Sequence, residues 1–542
     1  MQSFSDNKII HFIICAVSLI FSILLIYFIN RTNTLWTVLF VDSSAGRAIY
    51  FLPMLWFYVF IVILVFIIFK IINKNKFINV LCAIFIITAI PRGFLLTFNI
   101  FTPINDFLLY FNFGHLMLNG DFDQIARAIA SMQIPRLGGL AVHNGLIARI
   151  FSPTLVGFQI ANIIITSFIS CLIYLISIKF STQKIAISAA MLFALYPANI
   201  VSTQITTNMH LAILYQLLSI YILILAFESK NNMKIYTLVA LSGSIISISY
   251  FMHGSGLIFF IAQIVFISLL IFNNIQDFIN SIKKYKQTKL RMIWKNDFIK
   301  YSLALILFIL MFNLSSSLGL NILQNRGIIK SLEQQSMLRL IVMGLDAEQP
   351  GVVVNNPSVD RVMALPIEDQ HNEFITIIRE RLNYPFELLE IFHLKTEQTW
   401  FWRDTHFVWF TDYIRHYYEN LIRDGTISYC QMDRYNQLIN MRNSAWTLDV
   451  VYTHLIYLFS AFGLIVFIFK KSNNLQSFCL ILIIGFFIII ALGEAQARYR
   501  YPAMPYFFIL ASYGIYAIKD LYLQIFHKNK LILNKIKKEL CK

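Results

Sequence analysis

Twelve apolar runs, most near the length that carries an α-helix across a bilayer, constrain this chain more than any other feature. They fall at approximately 9–29, 49–69, 77–97, 154–178, 185–202, 208–227, 235–252, 257–272, 301–318, 448–469, 476–492 and 502–518. Crossing the hydrocarbon layer takes ~20 apolar residues as helix. Backbone polar groups find no water there, so each run is expected to be helical. Such a chain is an all-α polytopic membrane protein. Its composition agrees: 58% of the 542 residues are hydrophobic and 13% are charged, whereas a soluble domain carries about 25% charged residues. That shortage of charge excludes a soluble enzyme, a disordered chain and a disulfide-stapled secreted domain. Lys8 precedes the first run and no small-residue cleavage site follows it, so the run reads as a retained anchor.

The formal net charge is +16, and its distribution matters more than its size. Lys and Arg in short loops stay cytoplasmic. The loops at 70–76, 179–184, 228–234, 273–300 and 470–475, with both termini, contain 24 Lys+Arg against 6 Asp+Glu. The remaining segments contain 20 against 22. These basic loops alternate with the runs, so both termini are expected in the cytoplasm. Nucleic acid is not needed to explain the charge. The basic set holds 23 Lys and only Arg291, whereas the opposite set holds 18 Arg and only Lys330 and Lys395. Arg is the residue of choice for two-pronged binding of phosphate and carboxylate. Anion chemistry is therefore sought on the external face, although ion pairing within loops would explain the same bias.

The chain accordingly divides into a transmembrane region at 1–318 with an external amphipathic loop at 98–153, an external loop domain at 319–447, and C-terminal spans with a basic tail at 448–542. In the first loop, Leu108–Leu118 and Phe122–Met132 have helical periodicity and are separated by Asn119-Gly120-Asp121. Both suit helices lying on the membrane surface. In the second, Phe374, Ile377, Ile378, Leu382, Leu388, Leu389 and Phe392 recur at helical spacing, and Pro385 divides them into two helices. Trp400, Phe401, Trp402, Phe407, Trp409, Phe410, Tyr413, Tyr417 and Tyr418 form an aromatic run. It is suited to a membrane interface or to stacking on sugars. Only Cys430 of the six cysteines is external, so no intramolecular disulfide forms there. Cys541 does not match a prenylation box. No P-loop, dinucleotide fingerprint or zinc-spaced cluster occurs.

Four polar constellations lie at the outer membrane boundary. Pro103-Ile104-Asn105-Asp106, with Tyr110 one turn later, opens the first surface helix. Asn-Asp is a good helix cap, and a carboxylate at that depth is also well placed as a general base. His143 with Asn144 precedes the fourth span, either to bind substrate or as part of a polar loop. Thr206-Thr207-Asn208-Met209-His210 opens the sixth span, where Thr207 or Asn208 suits a cap and His210 falls inside an apolar run. His253-Gly254-Ser255-Gly256 makes a comparable external turn. Ionisable groups within spans are functional candidates by default. The densest cluster is Gly493-Glu494-Ala495-Gln496-Ala497-Arg498-Tyr499-Arg500-Tyr501-Pro502. Two Arg beside the lipid suit a lipid phosphate; a plain interfacial anchor would need neither Glu494 nor both Arg.

In this order the constellations resemble the GT-C membrane glycosyltransferases, specifically the protein O-mannosyltransferase and aminoarabinose-transferase-like group. The resemblance runs from about Pro91 to Pro505. It is carried by the acid in Pro103 to Tyr110, by the Tyr-Pro-Ala-Asn turn leading to Thr-Thr-Asn-Met-His (Tyr196 to His210), and by Gly-Glu-x-x-x-Arg-Tyr ahead of Pro502 and Pro505. Met343-Gly344-Leu345-Asp346, Gln349-Pro350-Gly351, Arg379-Glu380-Arg381-Leu382, and Lys395 with Trp400 also look like bacterial members.

The resemblance implies a bacterial plasma-membrane enzyme that moves a sugar, with inversion, from a polyprenyl-phosphate donor to an extracytoplasmic acceptor. Asp106 would be the base, and Arg498, with Arg500 and Lys395, would bind the donor phosphate. Asn105, Tyr110, His143, Asn208, His210, His253, Glu494 and Tyr499 would contact substrate. The donor lipid, the acceptor and membrane lipids are the implied partners. No cofactor is certain; a bound divalent cation is compatible with the group but not indicated, and the polyprenyl-phosphate sugar is the donor substrate. Family members often carry an acid pair in the loop after the first span, so Asp42 is the rival to Asp106, which is preferred because the long amphipathic loop follows it. Asp121 or Asp123 is the source of a second carboxylate, or an ordinary turn residue. Rival readings are a polysaccharide polymerase or O-antigen-type ligase, and a lipid-linked oligosaccharide transporter. The 129-residue insertion breaks the two-fold repeat that transporters tend to show.

Overall fold

A computed structural model describes residues 8–31, 77–96, 103, 105–132, 134–275, 278–279, 297–330, 337–345, 357–401, 448–466, 474–493 and 497–540. Among these residues the chain is helical throughout, with no strand. It opens with α1 (Lys8–Arg31) and α2 (Phe77–Leu96). α3 (Asn105–Asn119) and α4 (Phe122–Met132) follow, joined by a turn in which Gly120 takes φ +75°, a conformation that a Cβ resists. α5 (Leu137–Phe151), α6 (Leu155–Ile178) and α7 (Gln183–Ala194) lead to the short α8 (Pro197–Ser202). α9 (Met209–Glu228), α10 (Asn232–Met252), α11 (Ser255–Asn273) and α12 (Asp297–Asn325) are long and apolar. Four shorter helices come next: α13 (Met337–Gly344), α14 (Pro357–Met363), α15 (Ile367–Leu382) and α16 (Pro385–Thr396), the last ending in a π-turn at Glu397–Phe401. α17 (Leu448–Val466), α18 (Asn474–Leu492), a 3₁₀ segment (Ala497–Ala503) and α19 (Met504–Leu540) complete the chain.

Seven of the described helices, α2, α6, α9, α10, α11, α12 and α17, are long and apolar enough to cross a membrane. The expected run at 49–69 lies outside the described residues. Three expectations are corrected. The run at 185–202 is two helices, because the Pro197 ring has no N–H to continue α7 and Tyr196 takes an extended conformation. His143 lies on a helix, α5, rather than in a loop. The last apolar run is the first part of a continuous helix reaching Leu540. The turns at Asn119-Gly120-Asp121 and before Pro385 fall where the sequence places them.

α9 and α10 form an antiparallel hairpin, α12 lies along α10, and α6 is shared by α2, α7 and α9. Side chains interlock at these crossings. The rings of Phe260 and Phe312 stack at 3.8 Å between centroids. Ser219 Oγ meets Ser242 Oγ at 2.9 Å and donates to Gln263 Oε1 at 3.1 Å, a polar tie across α9, α10 and α11. Such bonds hold helices together where lipid and side chains are equally apolar. In the 319–447 region, Phe374 and Ile377 pack with Val342, Val359 and Val362, and Leu388 packs with Leu345 and Ile391. Leu382 and Leu389, expected on the same apolar faces, stay exposed.

α17 and α19 approach closely at two glycines. A Cβ at Gly514 would run into the Phe459 carbonyl oxygen, and one at Gly463 into that of Leu510. Small residues let backbones meet this closely. Gly514→Val is expected to lower stability by about 1–3 kcal/mol through overpacking, read as a lowered Tm in detergent. Gly485→Ala, whose Cβ would lie at an ordinary 3.5 Å from Ile258 Cγ2, should leave the Tm within a degree or so of the original.

Candidate functional site

The polar constellations gather at one end of the bundle. Helix α9 begins there and α10 ends there, while Lys179 and Glu228 pair at 2.7 Å at the opposite end. Asp106 sits half-buried in the first turn of α3. Its helix is held at two points. Thr206 Oγ1 donates to the Phe107 carbonyl at 2.7 Å, and Asn144 Nδ2 donates to the Tyr110 carbonyl at 2.7 Å. The backbone of the Asp106 turn is thereby tied to the segment ahead of α9 and to α5.

His143 and His210 are both committed to interhelix bonds. His143 Nδ1 lies 2.9 Å from the Gly139 carbonyl and Nε2 lies 3.0 Å from the Tyr215 hydroxyl. A carbonyl only accepts, so Nδ1 carries the proton and Nε2 accepts from Tyr215. His210 is fully buried, with Nε2 donating to the Ser202 carbonyl at 3.1 Å and Nδ1 3.3 Å from the Tyr501 hydroxyl. The Tyr501 hydroxyl donates to Asn199 Oδ1. Asn208 does not cap α9 with its side chain; Nδ2 donates to the Met252 carbonyl at 2.7 Å, and Thr207 Oγ1 accepts from the Met209 N–H at 3.2 Å. Beyond Met252, His253 Nδ1 accepts the Ser255 N–H at 3.2 Å, and its ring lies 6.2 Å from that of Tyr499. Tyr499 and Tyr501 therefore join the 3₁₀ segment to α9 and to the α10–α11 turn.

Two expected phosphate ligands have other duties. Lys395 is fully buried, and its ammonium donates to the carbonyls of Gly344 at 3.0 Å, Ala491 at 2.7 Å and Gly493. Its three hydrogens are thus spent on the C-terminal ends of α13 and α18, where a cation is favoured. Gly344 is required at this approach, since a Cβ would strike the Leu492 carbonyl. Arg500 is also buried; Nη1 donates to the Trp400 carbonyl at 2.9 Å and Nη2 lies 3.6 Å from Asp449 Oδ2. Neither side chain, as placed, presents its charge to a lipid. Trp400 is likewise internal and stacks on Phe487 at 4.1 Å with planes 4° apart, so it serves neither the interface nor a sugar.

Asp123, one source of a second carboxylate, is exposed and pairs with Lys330 at 3.0 Å, which holds its carboxyl below the usual range. Asp121 opens α4, its carbonyl accepting from Gln124 and Ile125 N–H groups, as an ordinary turn residue does. The backbones of Asn105 and Arg498 are described within α3 and the 3₁₀ segment. Glu494, Asp42 and the aromatics from Trp402 to Tyr418 lie outside the described residues. Among the described residues no three His, Cys, Asp or Glu side chains are grouped to hold a metal ion.

Two buried charges escaped the sequence reading. Asp449 opens α17 fully buried, and its Oδ1 accepts the Ala198 N–H at 3.1 Å at the start of α8. Arg92, inside α2, donates to the Thr88 and Ala194 carbonyls at 2.6 and 2.8 Å. Each was visible as a lone ionisable residue in an apolar run. The chain matches no protein-family model and no curated protein by sequence.

The geometry assigns Lys395 a structural task. Lys395→Met removes the donor from one buried and two partly buried carbonyls and is expected to cost about 3 kcal/mol or more. Lys395→Arg should recover little, because a planar fork does not suit three converging carbonyls. Thermal melts of the purified variants check both.

Proposed function

We propose that this chain is a GT-C-type membrane glycosyltransferase of twelve spans, moving a sugar from a polyprenyl-phosphate donor to an acceptor outside the plasma membrane. The observation that carries the reading is the gathering of separate segments at one end of an apolar bundle. Residues from 106 to 501 in the sequence are tied there by Thr206 to α3, Asn208 to the end of α10, Tyr499 beside His253, and Tyr501 beside His210. The shorter apolar helices at Phe12–Tyr27 and Ser477–Leu492 accord with further spans beside the seven.

In this reading Asp106 deprotonates the acceptor hydroxyl, which attacks the anomeric carbon opposite the departing phosphate. A new glycosidic bond forms, the C–O bond to phosphate breaks, and the electron pair leaves on polyprenyl phosphate. Arg498 meets the charge that grows on that phosphate; fixed cations act most strongly where water is excluded. Tyr110, His253 and Tyr499 line the approach, with Asn105 beside the base and Glu494 ahead of the 3₁₀ segment. His143, Asn208 and His210 hold the surrounding helices in register. Arg500 and Lys395 support the segment from behind.

The test is release of polyprenyl phosphate by purified protein in detergent from a panel of polyprenyl-phosphate sugars. Release is expected only when an acceptor is present. Asp106→Asn should retain the original Tm and lose activity by about 10²–10⁴-fold. A folded protein that releases nothing across the panel overturns the reading. Movement of a labelled lipid across a vesicle without transfer would assign the chain to the transporters, and a fully active Asp106→Asn to the polymerase or ligase class.

A further inference from the structure

The buried pair formed by Asp449 and Arg500 does something that neither packing nor charge balance requires. Asp449 is fully buried and Arg500 is 1% exposed. One carboxylate oxygen takes the Ala198 N–H at 3.1 Å, and the other faces Arg500 Nη2 at 3.6 Å. The next residue along, Tyr501, bonds to Asn199, the next residue after Ala198. Two successive residues of the 3₁₀ segment are thus matched to two successive residues of α8. One attachment would leave the segment free to turn about its axis; two set both its position and its rotation. A third tie, from Arg500 Nη1 to the Trp400 carbonyl at 2.9 Å, fixes the guanidinium plane. Arg498 lies two positions earlier in the same segment.

We propose that Asp449 is a positioning residue of the donor-phosphate site, acting through Arg500 to hold the Ala497–Ala503 segment so that Arg498 is fixed at the lipid phosphate. This rests on the proposed function, since it takes Arg498 as the phosphate ligand. A cation stabilises a leaving phosphate well only when its position is set beforehand, because reorganising it during the reaction forfeits the gain. An apolar pair in the same place could fill the volume, but would not define the rotation.

The probe is a long-chain polyprenyl monophosphate, and its affinity for detergent-purified full-length protein is measured by native mass spectrometry. Arg498→Gln is expected to weaken binding by about tenfold or more, as loss of a charge-assisted contact does. Asp449→Asn, which keeps an oxygen for the Ala198 N–H but loses the charge, should weaken it several-fold without contacting the lipid. The double variant Asp449→Asn/Arg498→Gln should bind no worse than Arg498→Gln alone, since both changes act on one contact. A purely structural role would instead multiply the two losses. Asp449→Glu, which keeps the charge, should restore most of the affinity.

The inference is overturned if folded Asp449→Asn binds as the original protein does, or if the two losses multiply. If Arg498→Gln binds normally, the proposed function fails with it, which separates that failure from the first. Should Asp449→Asn not fold, the volume-matched pair Asp449→Leu/Arg500→Met takes its place, and normal binding by that pair overturns the inference. If none of these variants folds, the pair is an element of folding and not of positioning, which also overturns it.

Discussion

Helix ends buried inside an apolar bundle are the constraint on which the rest of this structure depends. A helix leaves donors unmet at its start and acceptors unmet at its end, and a membrane offers no water to satisfy them. Here that need is met by three charged side chains from distant parts of the sequence. Lys395 takes the terminal carbonyls of α13 and α18. Asp449 takes an N–H at the start of α8, and Arg500 joins Asp449 to the π-turn that ends at Phe401. Each side chain engages backbone groups that would otherwise be orphaned.

The consequences run outward from these ties. Because α13 ends against α18, the 319–447 region is anchored to the bundle through Gly344 and Lys395. Trp400 is drawn inside, and its ring stacks on Phe487. Because α8 breaks away from α7 at Pro197, the Ala198 N–H donates to Asp449 instead of continuing a ladder. The same break aims Asn199 at Tyr501 and leaves Ser202 to take the His210 proton. A helix interruption and a salt bridge are thus two sides of one solution. Around them, smaller polar ties set the position of α3 relative to α5 and α9, and with it the half-buried Asp106.

Much of this was legible in the sequence where a local rule had no competitor. Asn119-Gly120-Asp121 permits little except a turn with positive φ, and Pro385 cannot continue the helix before it. The long apolar runs return as helices wherever they are described. The break at Tyr196-Pro197 was less visible, because the run on both sides of it is apolar and hydropathy alone does not sense a missing N–H. α5 escaped notice since Gly138, Gly139, His143 and Asn144 interrupt its apolar pattern, yet its glycines allow close packing against Phe251, Ile329 and Leu323. Candidate site residues were picked by chemical type and depth, and the structure sorts them differently. His210, Lys395 and Arg500 are consumed by internal bonds, while Asp106 lies half-buried in the first turn of α3.

The sequence by itself determined that this is a chain of long apolar helices, with most lysines in one set of connecting segments and most arginines in the other. Composition and run length decide that, because burying an apolar surface depends on how much of it there is. Only the tertiary structure decided which charges are spent on helix ends. A lysine and an arginine look the same in sequence whether they await a phosphate or close a helix end. What distinguishes them is which carbonyls and carboxylates come within about 3 Å, and those belong to residues up to about one hundred positions away.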